Sequence, residues 1–165
     1  MTRFWTCTLT ICLLALASAA HAAQAPSVED LVLSARMGNL EAVEICLKAG
    51  IGPDVLDSNG ETALGWATFN GHIGVVEALL SNGADANQKN RYGNTPIIYA
   101  AAKGHTEILN ALIDAGAQPS VRGRGNLTPL VLAARDGHSE TVRALLKTKS
   151  ENDPGKAVAL AVAKR

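Results

Sequence analysis

The chain has 165 residues, of which 47% are hydrophobic and 18% are charged, and acidic and basic residues number 15 each. This apolar content suffices for one packed domain and excludes an intrinsically disordered chain, while a net charge of zero does not favour a nucleic-acid-binding protein. Aromatic residues make up only 4%, and the dominance of Ala, Leu and Gly indicates short, closely packed helices rather than a β-sandwich.

The first 22 residues are predicted to be a signal peptide. Arg3 is the only charge before an apolar stretch from Phe4 to about Ala17, and this stretch is shorter than the roughly 20 apolar residues needed to span a bilayer. Residues 20–22, Ala-His-Ala, fit the pattern that signal peptidase cuts. The alternatives are an uncleaved anchor and a lipoprotein. We expect a periplasmic or secreted protein, with no membrane insertion after cleavage.

Cysteine usage agrees with export. Cys7 and Cys12 lie in the predicted signal peptide, which leaves Cys46 alone in the mature chain. Because a single thiol cannot form an internal disulfide, packing alone must hold the fold. The apolar helix position of Cys46 predicts a buried, inert thiol rather than a redox or catalytic one.

Residues 23–56 are predicted to form a divergent N-terminal capping repeat. Between Val28 and Ile51, apolar and glycine positions keep the register of the 33-residue repeat that follows. Glu29 stands at the threonine position of that repeat and Asn39 at its histidine position. We expect this capping repeat to present a polar outer side to solvent.

Three copies of a 33-residue repeat are predicted to follow, at residues 57–89, 90–122 and 123–152. Several landmarks recur with this period. They are a threonine that opens an apolar segment (Thr62, Thr95 and Thr128), a Gly-His pair (residues 71–72, 104–105 and 137–138) and a pair of apolar residues (79–80, 112–113 and 145–146).

Each landmark has a physical role in a helix pair. The threonines can serve as N-caps of a first helix, and Pro96 and Pro129 then occupy its first position, where a missing amide costs nothing. The glycines allow that helix to end in the left-handed conformation. The apolar pairs give a second helix an apolar stripe, which it can bury only by stacking on neighbouring pairs.

These residues resemble the ankyrin-repeat family, whose 33-residue period and T-P-L-H-x-A signature they reproduce over about residues 27–150. The chain looks like the small exported ankyrin-repeat proteins of Gram-negative bacteria. The resemblance implies an all-α solenoid of stacked helix–turn–helix units with β-turn loops. Gly65, Ile98 and Val131 replace the histidine of the signature, and Asn126 replaces a loop glycine, where asparagine tolerates positive φ. These departures affect stability more than the fold.

Residues 153–165 are predicted to form a C-terminal capping helix. The segment from Lys156 to Arg165 follows an Asp-Pro-Gly turn, and Leu160 and Ala163 correspond to apolar positions of a first helix. The mature protein would then contain four stacked helix pairs and this C-terminal capping helix.

No motif for catalysis or cofactor binding is found in the sequence. His72, His105 and His138 recur at the repeat spacing, which separates equivalent residues of a stack by about 8–10 Å, whereas zinc binds its ligands at about 2 Å. We therefore predict a structural role for these histidines, and we predict no enzyme activity, no cofactor and no metal site.

The resemblance implies that the chain binds a partner protein through its loop tips and the exposed, concave side of its first helices. Glu61 is expected on this surface. Phe69 and Tyr92 are aromatic residues at positions that the repeat core does not need. They either anchor a partner, or Phe69 packs over its neighbour and Tyr92 fills its loop. Trp66 occupies a core-facing position and is assigned to packing.

Charge is divided unequally along the chain. Residues 23–88 hold nine acidic and two basic residues, and residues 89–165 hold six acidic and twelve basic ones. Because a stack keeps sequence order in space, we expect an acidic N-terminal end and a basic C-terminal end, a division that steers association. The basic residues on the presumed binding side are Lys89, Arg91, Lys103, Arg122, Arg124 and Arg135.

The predicted function is that of an exported, monomeric adaptor that binds a protein with an acidic patch and binds no nucleic acid. A solvated face without a specific partner is the alternative interpretation of the charges. The resemblance suggests assistance to an envelope or oxidative-stress enzyme. The alternative function is that of an immunity-type inhibitor that blocks a toxin or a hydrolase.

Overall fold

The computed structural model of the protein describes residues 25–148. This part of the chain forms eight α-helices and no β-strand longer than an isolated bridge between Leu56 and Thr62. The helices are α1 (Val28–Met37), α2 (Leu40–Lys48), α3 (Ala63–Asn70), α4 (Ile73–Ser81), α5 (Pro96–Lys103), α6 (Thr106–Asp114), α7 (Pro129–Arg135) and α8 (Ser139–Lys147), with a 3-10 turn at Arg124–Asn126.

The helices form two rows. The first helices of the pairs, α1, α3, α5 and α7, contact one another in that order, and the second helices, α2, α4, α6 and α8, do the same. Each first helix also packs on the second helix of its own pair. We call the surface of the first row, with the loops that precede its helices, the first-helix face. The all-α repeat stack predicted from the sequence is confirmed.

Two of the three predicted threonine caps are present. Thr62 Oγ1 accepts a hydrogen bond from the amide of Gly65 at 2.8 Å, and Thr128 Oγ1 accepts one from Val131 at 3.4 Å. The prediction is wrong for Thr95, whose buried hydroxyl has no hydrogen-bond partner within the described residues. The amide of Ile98, which would donate to this hydroxyl, donates instead to the backbone carbonyl of Thr95 at 3.0 Å.

The histidines connect successive repeats. His72 Nε2 lies 3.1 Å from the carbonyl oxygen of Arg36 in the preceding first helix, and His138 Nε2 lies 3.1 Å from that of Ala102. Since a carbonyl can only accept, each Nε2 carries the proton. Gly71 ends α3 with φ at 83°, and the ring of His105 lies 2.8 Å from where a Cβ of Gly71 would be. A larger residue at this position would therefore be strained and would collide with the histidine of the next repeat.

The core is a single cluster that runs through all four helix pairs. It contains the predicted apolar stripe of each second helix, and Leu79, Leu109 and Leu112 are fully buried. Cys46 is buried in the same cluster, and this burial raises the pKa of its thiol. The predicted positive φ of Asn126 is confirmed, at 61°.

The exposed surface of the N-terminal helix pair is less polar than predicted. Four large apolar side chains of α1 and α2 are exposed, and one of them, Leu40, lies next to Gly74 of α4. They are Leu33, Met37, Leu40 and Ile45. The predicted signal peptide and C-terminal capping helix lie outside the described residues. None of the helices within residues 25–148 combines the length and the apolar character that crossing a bilayer requires.

Candidate functional site

A cavity of about 380 Å³ opens on the first-helix face between α3 and α5. We call it the aromatic cavity, because four of its eight lining residues carry aromatic rings. The lining residues are Arg36, Asn59, Glu61, Gly65, Trp66, Phe69, Tyr92 and Tyr99. A smaller neighbouring cavity of about 240 Å³ shares Arg36, Asn59 and Trp66 with it.

Repeat geometry brings the rings together. Trp66 and Tyr99 are 33 residues apart and therefore occupy the same position in adjacent first helices, while Phe69 lies three residues after Trp66 on the same side of α3. The Phe69 ring contacts Trp66 edge to face at a centroid distance of 6.1 Å, and it contacts Tyr99 in the same way at 5.7 Å. These contacts fix the rings of two repeats in one cluster.

A buried carboxylate lies among these residues. Glu61 is only 8% exposed, although it was expected on the open surface. Its Oε2 accepts hydrogen bonds from Asn90 Nδ2 at 2.6 Å and from the Tyr99 hydroxyl at 2.7 Å, and its Oε1 accepts one from the amide of Thr62 at 3.1 Å. Within residues 25–148, no cationic side chain forms an ion pair with it. The carboxylate is thus held by neutral donors alone.

Gly65 makes room for this carboxylate. A Cβ at Gly65 would collide with Glu61 Oε1 and would lie 2.9 Å from Thr62 Oγ1. Gly65 occupies the position at which the signature carries histidine, so the departure noted in the sequence has a structural consequence. The absence of a side chain at this position allows Glu61 to fold inward against α3.

The polar atoms of the aromatic residues are hydrogen-bonded. Burial, followed by the hydrogen bond to Glu61, raises the pKa of Tyr99 to about 12. Trp66 Nε1 donates to Asp57 Oδ2 at 3.2 Å. Partial burial raises the pKa of the Asp57 carboxyl, but the hydrogen bonds from the Glu61 amide, Trp66 and Asn59 outweigh it, and the net effect lowers this pKa.

Three cations of the chain lie over aromatic rings at the cavity or beside it. The Arg36 guanidinium carbon is 4.7 Å from the Trp66 ring centre, and Lys103 Nζ is 4.4 Å from that of Phe69. The Arg124 guanidinium carbon is 5.8 Å from the Tyr92 ring centre. All three cations are exposed to solvent.

The structure brings together some of the predicted binding residues and leaves others apart. Phe69 and Tyr92 both line the aromatic cavity, and Tyr92 is 54% exposed, so it does not fill its loop. Lys103 and Arg124 reach the cavity through their ring contacts. The remaining predicted residues are exposed but do not line the cavity; they are Lys89, Arg91, Arg122 and Arg135.

Two of these four residues, Arg122 and Arg135, form polar contacts with nearby residues of the chain. Arg122 Nη1 donates to the carbonyl oxygen of Asn126 at 3.1 Å. Arg135 forms an ion pair with Asp136 at 2.8 Å, and the hydrogen bonds of this pair raise the pKa of Arg135 and lower that of Asp136. Arg135 therefore presents less free positive charge to a partner than the sequence suggested.

Sequence reasoning missed three features of the cavity. Trp66 packs on the core, as its assignment to packing predicts, and it also forms a cavity wall, which the sequence did not indicate. Tyr99 and Arg36 were not singled out at all. A signal for Tyr99 was available, because it repeats the aromatic character of Trp66 one period later, whereas Leu132 follows in the third repeat.

A larger groove of about 720 Å³ lies on the opposite row, between α6 and α8. Its lining includes Ile113, Asp114, Glu140, Arg143 and Lys147, and it contains no aromatic ring and no residue of the predicted binding set. In the part of the chain that the structure describes, no group of three or more His, Cys, Asp or Glu side chains is placed to hold a metal ion.

Comparison with family models matches most of the chain. A model described as ankyrin repeats (3 copies) matches residues 31–123, and a model described as ankyrin repeat matches residues 125–155. Comparison with curated proteins gave no match.

Proposed function

Because the chain belongs to the ankyrin-repeat family, whose repeats generally mediate interactions between proteins, we propose that it is an adaptor that binds a partner protein on its first-helix face. The observation that carries this proposal is the aromatic cavity with exposed cations beside it. Rigid aromatic rings and arginines are the residues that most often anchor protein interfaces. Phe69, Tyr92 and Arg124 combine these properties at one place on the face.

The partner presents an acidic patch to the C-terminal half of this face. Lys89, Arg91, Lys103 and Arg124 are exposed there, and complementary charge accelerates association and selects the partner. Arg135 contributes less than these residues because Asp136 neutralises it locally. The adaptor acts as a monomer.

The adaptor works outside the cytoplasm, in the periplasm or after secretion. This part of the proposal rests on residues 1–22, whose apolar stretch and Ala-His-Ala end are typical of a signal peptide. Its role is to assist an envelope or oxidative-stress enzyme, as the resemblance to small exported ankyrin-repeat proteins suggests.

The test is affinity capture from a periplasmic extract, followed by mass spectrometry of the retained proteins. The double variant Arg91→Glu/Arg124→Glu should lose the partner, because both side chains are exposed on the first-helix face. The matched control is Arg143→Glu/Lys147→Glu, which makes the same change of charge on α8. Capture that survives the first variant, or that both variants abolish equally, would contradict the binding surface.

An activity assay of the captured protein separates assistance from inhibition. An enzyme whose activity or lifetime increases with the adaptor supports the assisting role. A toxin or hydrolase that loses activity in the complex supports the immunity-type inhibitor instead. Recovery of the full-length chain in the cytoplasm only, with residues 1–22 still attached, would contradict the periplasmic part of the proposal.

A further inference from the structure

We infer that the aromatic cavity binds a cationic side chain of the partner, an alkylammonium such as that of lysine. This inference deepens the proposed function and rests on it, because it names the chemistry that one part of the binding face recognises. It also predicts that the partner carries a basic anchor beside its acidic patch.

The charge of Glu61 is the first argument. A buried carboxylate is costly unless a cation or several hydrogen bonds compensate it. Asn90, Tyr99 and the Thr62 amide supply three neutral hydrogen bonds, and a carboxylate offers about four acceptor positions. One position therefore remains, and an ammonium group of the partner would supply both the missing donor and the missing positive charge.

The aromatic walls are the second argument. The face of an aromatic ring attracts cations through its quadrupole, most strongly where water is excluded. The chain's own cations already use this attraction, since Arg36 lies over Trp66 and Lys103 over Phe69, so a guest must share these two rings with them. The rings of Tyr92 and Tyr99 complete the lining on the side of the second repeat.

The size and composition of the cavity favour an alkyl chain that ends in a cation. Its volume of about 380 Å³ falls within the range of about 300–1,000 Å³ that is typical of ligand sites. Glu61 would repel an anionic group at its own position, while the exposed Arg36, Lys103 and Arg124 beside the rings favour the partner's acidic patch. A neutral apolar guest would bury the Glu61 carboxylate further without compensating it. An alkyl stem that ends in a cation satisfies both the rings and the carboxylate.

Small probes test the inference on the full chain without the partner. We would titrate ¹⁵N-labelled protein with n-butylammonium, n-butanol and butyrate, and follow the Trp66 indole and the amides of Gly65 and Phe69 by NMR. Butylammonium should shift these signals in a saturable way. Butanol should bind more weakly by about tenfold, the factor expected for losing a partly desolvated cation–π and carboxylate contact, and butyrate should not bind.

Variants locate the site. Glu61→Gln should abolish the preference for butylammonium over butanol, whereas Glu77→Gln, on the exposed side of α4, should leave it unchanged. Equal binding of butanol and butylammonium to the wild-type chain overturns the inference, as does an unchanged preference in a folded Glu61→Gln variant. The comparison of probes on the wild-type chain decides the matter even if Glu61→Gln does not fold.

The outcomes also separate this inference from the proposed function. If the ammonium probe fails while Arg91→Glu/Arg124→Glu still abolishes capture of the partner, only the cationic anchor is wrong. If the probe binds but the charge reversals leave capture intact, the cavity is a cation site and the acidic-patch surface is wrong.

Discussion

At the scale of single residues, the floor of the aromatic cavity depends on one glycine and one carboxylate. Gly65 leaves the space into which Glu61 folds, and Glu61 in turn holds Asn90 and Tyr99 of the next repeat. The carboxylate thus joins two repeats through hydrogen bonds that are shielded from water, where such bonds are strong and where an unsatisfied group is costly.

Gly65→Ala should destabilise the protein, contrary to the usual effect of alanine in a helix. The added Cβ would displace the Glu61 carboxylate from its donors, and we expect a loss of about 1–3 kcal/mol in the free energy of unfolding, measured by urea denaturation. Gly74→Ala is the matched control, because its Cβ would meet only Leu40, at 3.9 Å. This control should be neutral or stabilising by up to about 1 kcal/mol. Equal effects of the two variants would contradict the role of Gly65.

The Tyr99 hydroxyl should ionise at a higher pH than an ordinary tyrosine. The variant Tyr92→Phe retains Tyr99 as its single tyrosine, and the tyrosinate absorbance of this variant should rise with a midpoint near pH 12 rather than near the ordinary 10. Since the folded pKa lies above the unfolded one, the stabilisation by neutral Tyr99 is complete below about pH 10 and is lost as the pH rises through 12. Tyr99→Phe should lose this pH dependence of stability between pH 10 and 12. A midpoint near 10 in the folded Tyr92→Phe variant would contradict the buried hydrogen bond to Glu61.

At the scale of elements, equivalent positions at the starts of the first helices do not all cap their helix. Helix α1 is capped by Ser27, whose Oγ accepts from the amide of Asp30 at 3.2 Å while Asp30 Oδ2 accepts from the amide of Ser27 at 2.8 Å. The hydrogen bonds from the backbone and side chain of Ser27 lower the pKa of Asp30. Alignment with the other repeats had placed Glu29 at the cap position. Repeat register therefore predicts where a helix starts only to within a few residues.

The threonine caps provide a matched pair of substitutions. Thr62→Val removes a hydroxyl that caps α3, and it should lower the free energy of unfolding by about 0.5–2 kcal/mol. Thr95→Val removes a buried hydroxyl that has no partner among the described residues, so it should change stability by less than about 0.5 kcal/mol or should stabilise. Urea denaturation followed by circular dichroism measures both. Losses of equal size would show that Thr95 also caps its helix.

At the scale of the whole molecule, stability comes from stacking and recognition comes from one face. The buried cluster runs through all four helix pairs, so no pair has a core of its own. The first-helix face changes along the stack, from the buried carboxylate of Glu61 near α3 to the exposed cations at Lys103 and Arg124. Together with Arg36 on α1, the face thus presents exposed cations at both ends of the aromatic cavity.

Leu112→Ala should weaken the whole stack. Leu112 is fully buried in α6, within the cluster that runs through all four helix pairs. Its truncation should lower the free energy of unfolding by about 2–5 kcal/mol in a single transition. Ile45→Ala is the control, because Ile45 is 55% exposed on α2, and it should change stability by no more than about 0.5 kcal/mol. A loss at Leu112 no larger than that at Ile45 would contradict a continuous core.

The repeat period, the all-α stack, the turn glycines and the apolar stripes could all be predicted from the sequence, as could the candidate binding residues Phe69 and Tyr92. These features depend on residues that are close in the chain or that recur at a fixed spacing, so local preferences and periodicity predict them. The burial of Glu61, the place of Trp66 in the cavity wall and the missing side-chain cap at Thr95 could not be predicted in this way. These features depend on side chains of different repeats that compete for one space, and spacing along the chain does not fix which side chain takes it.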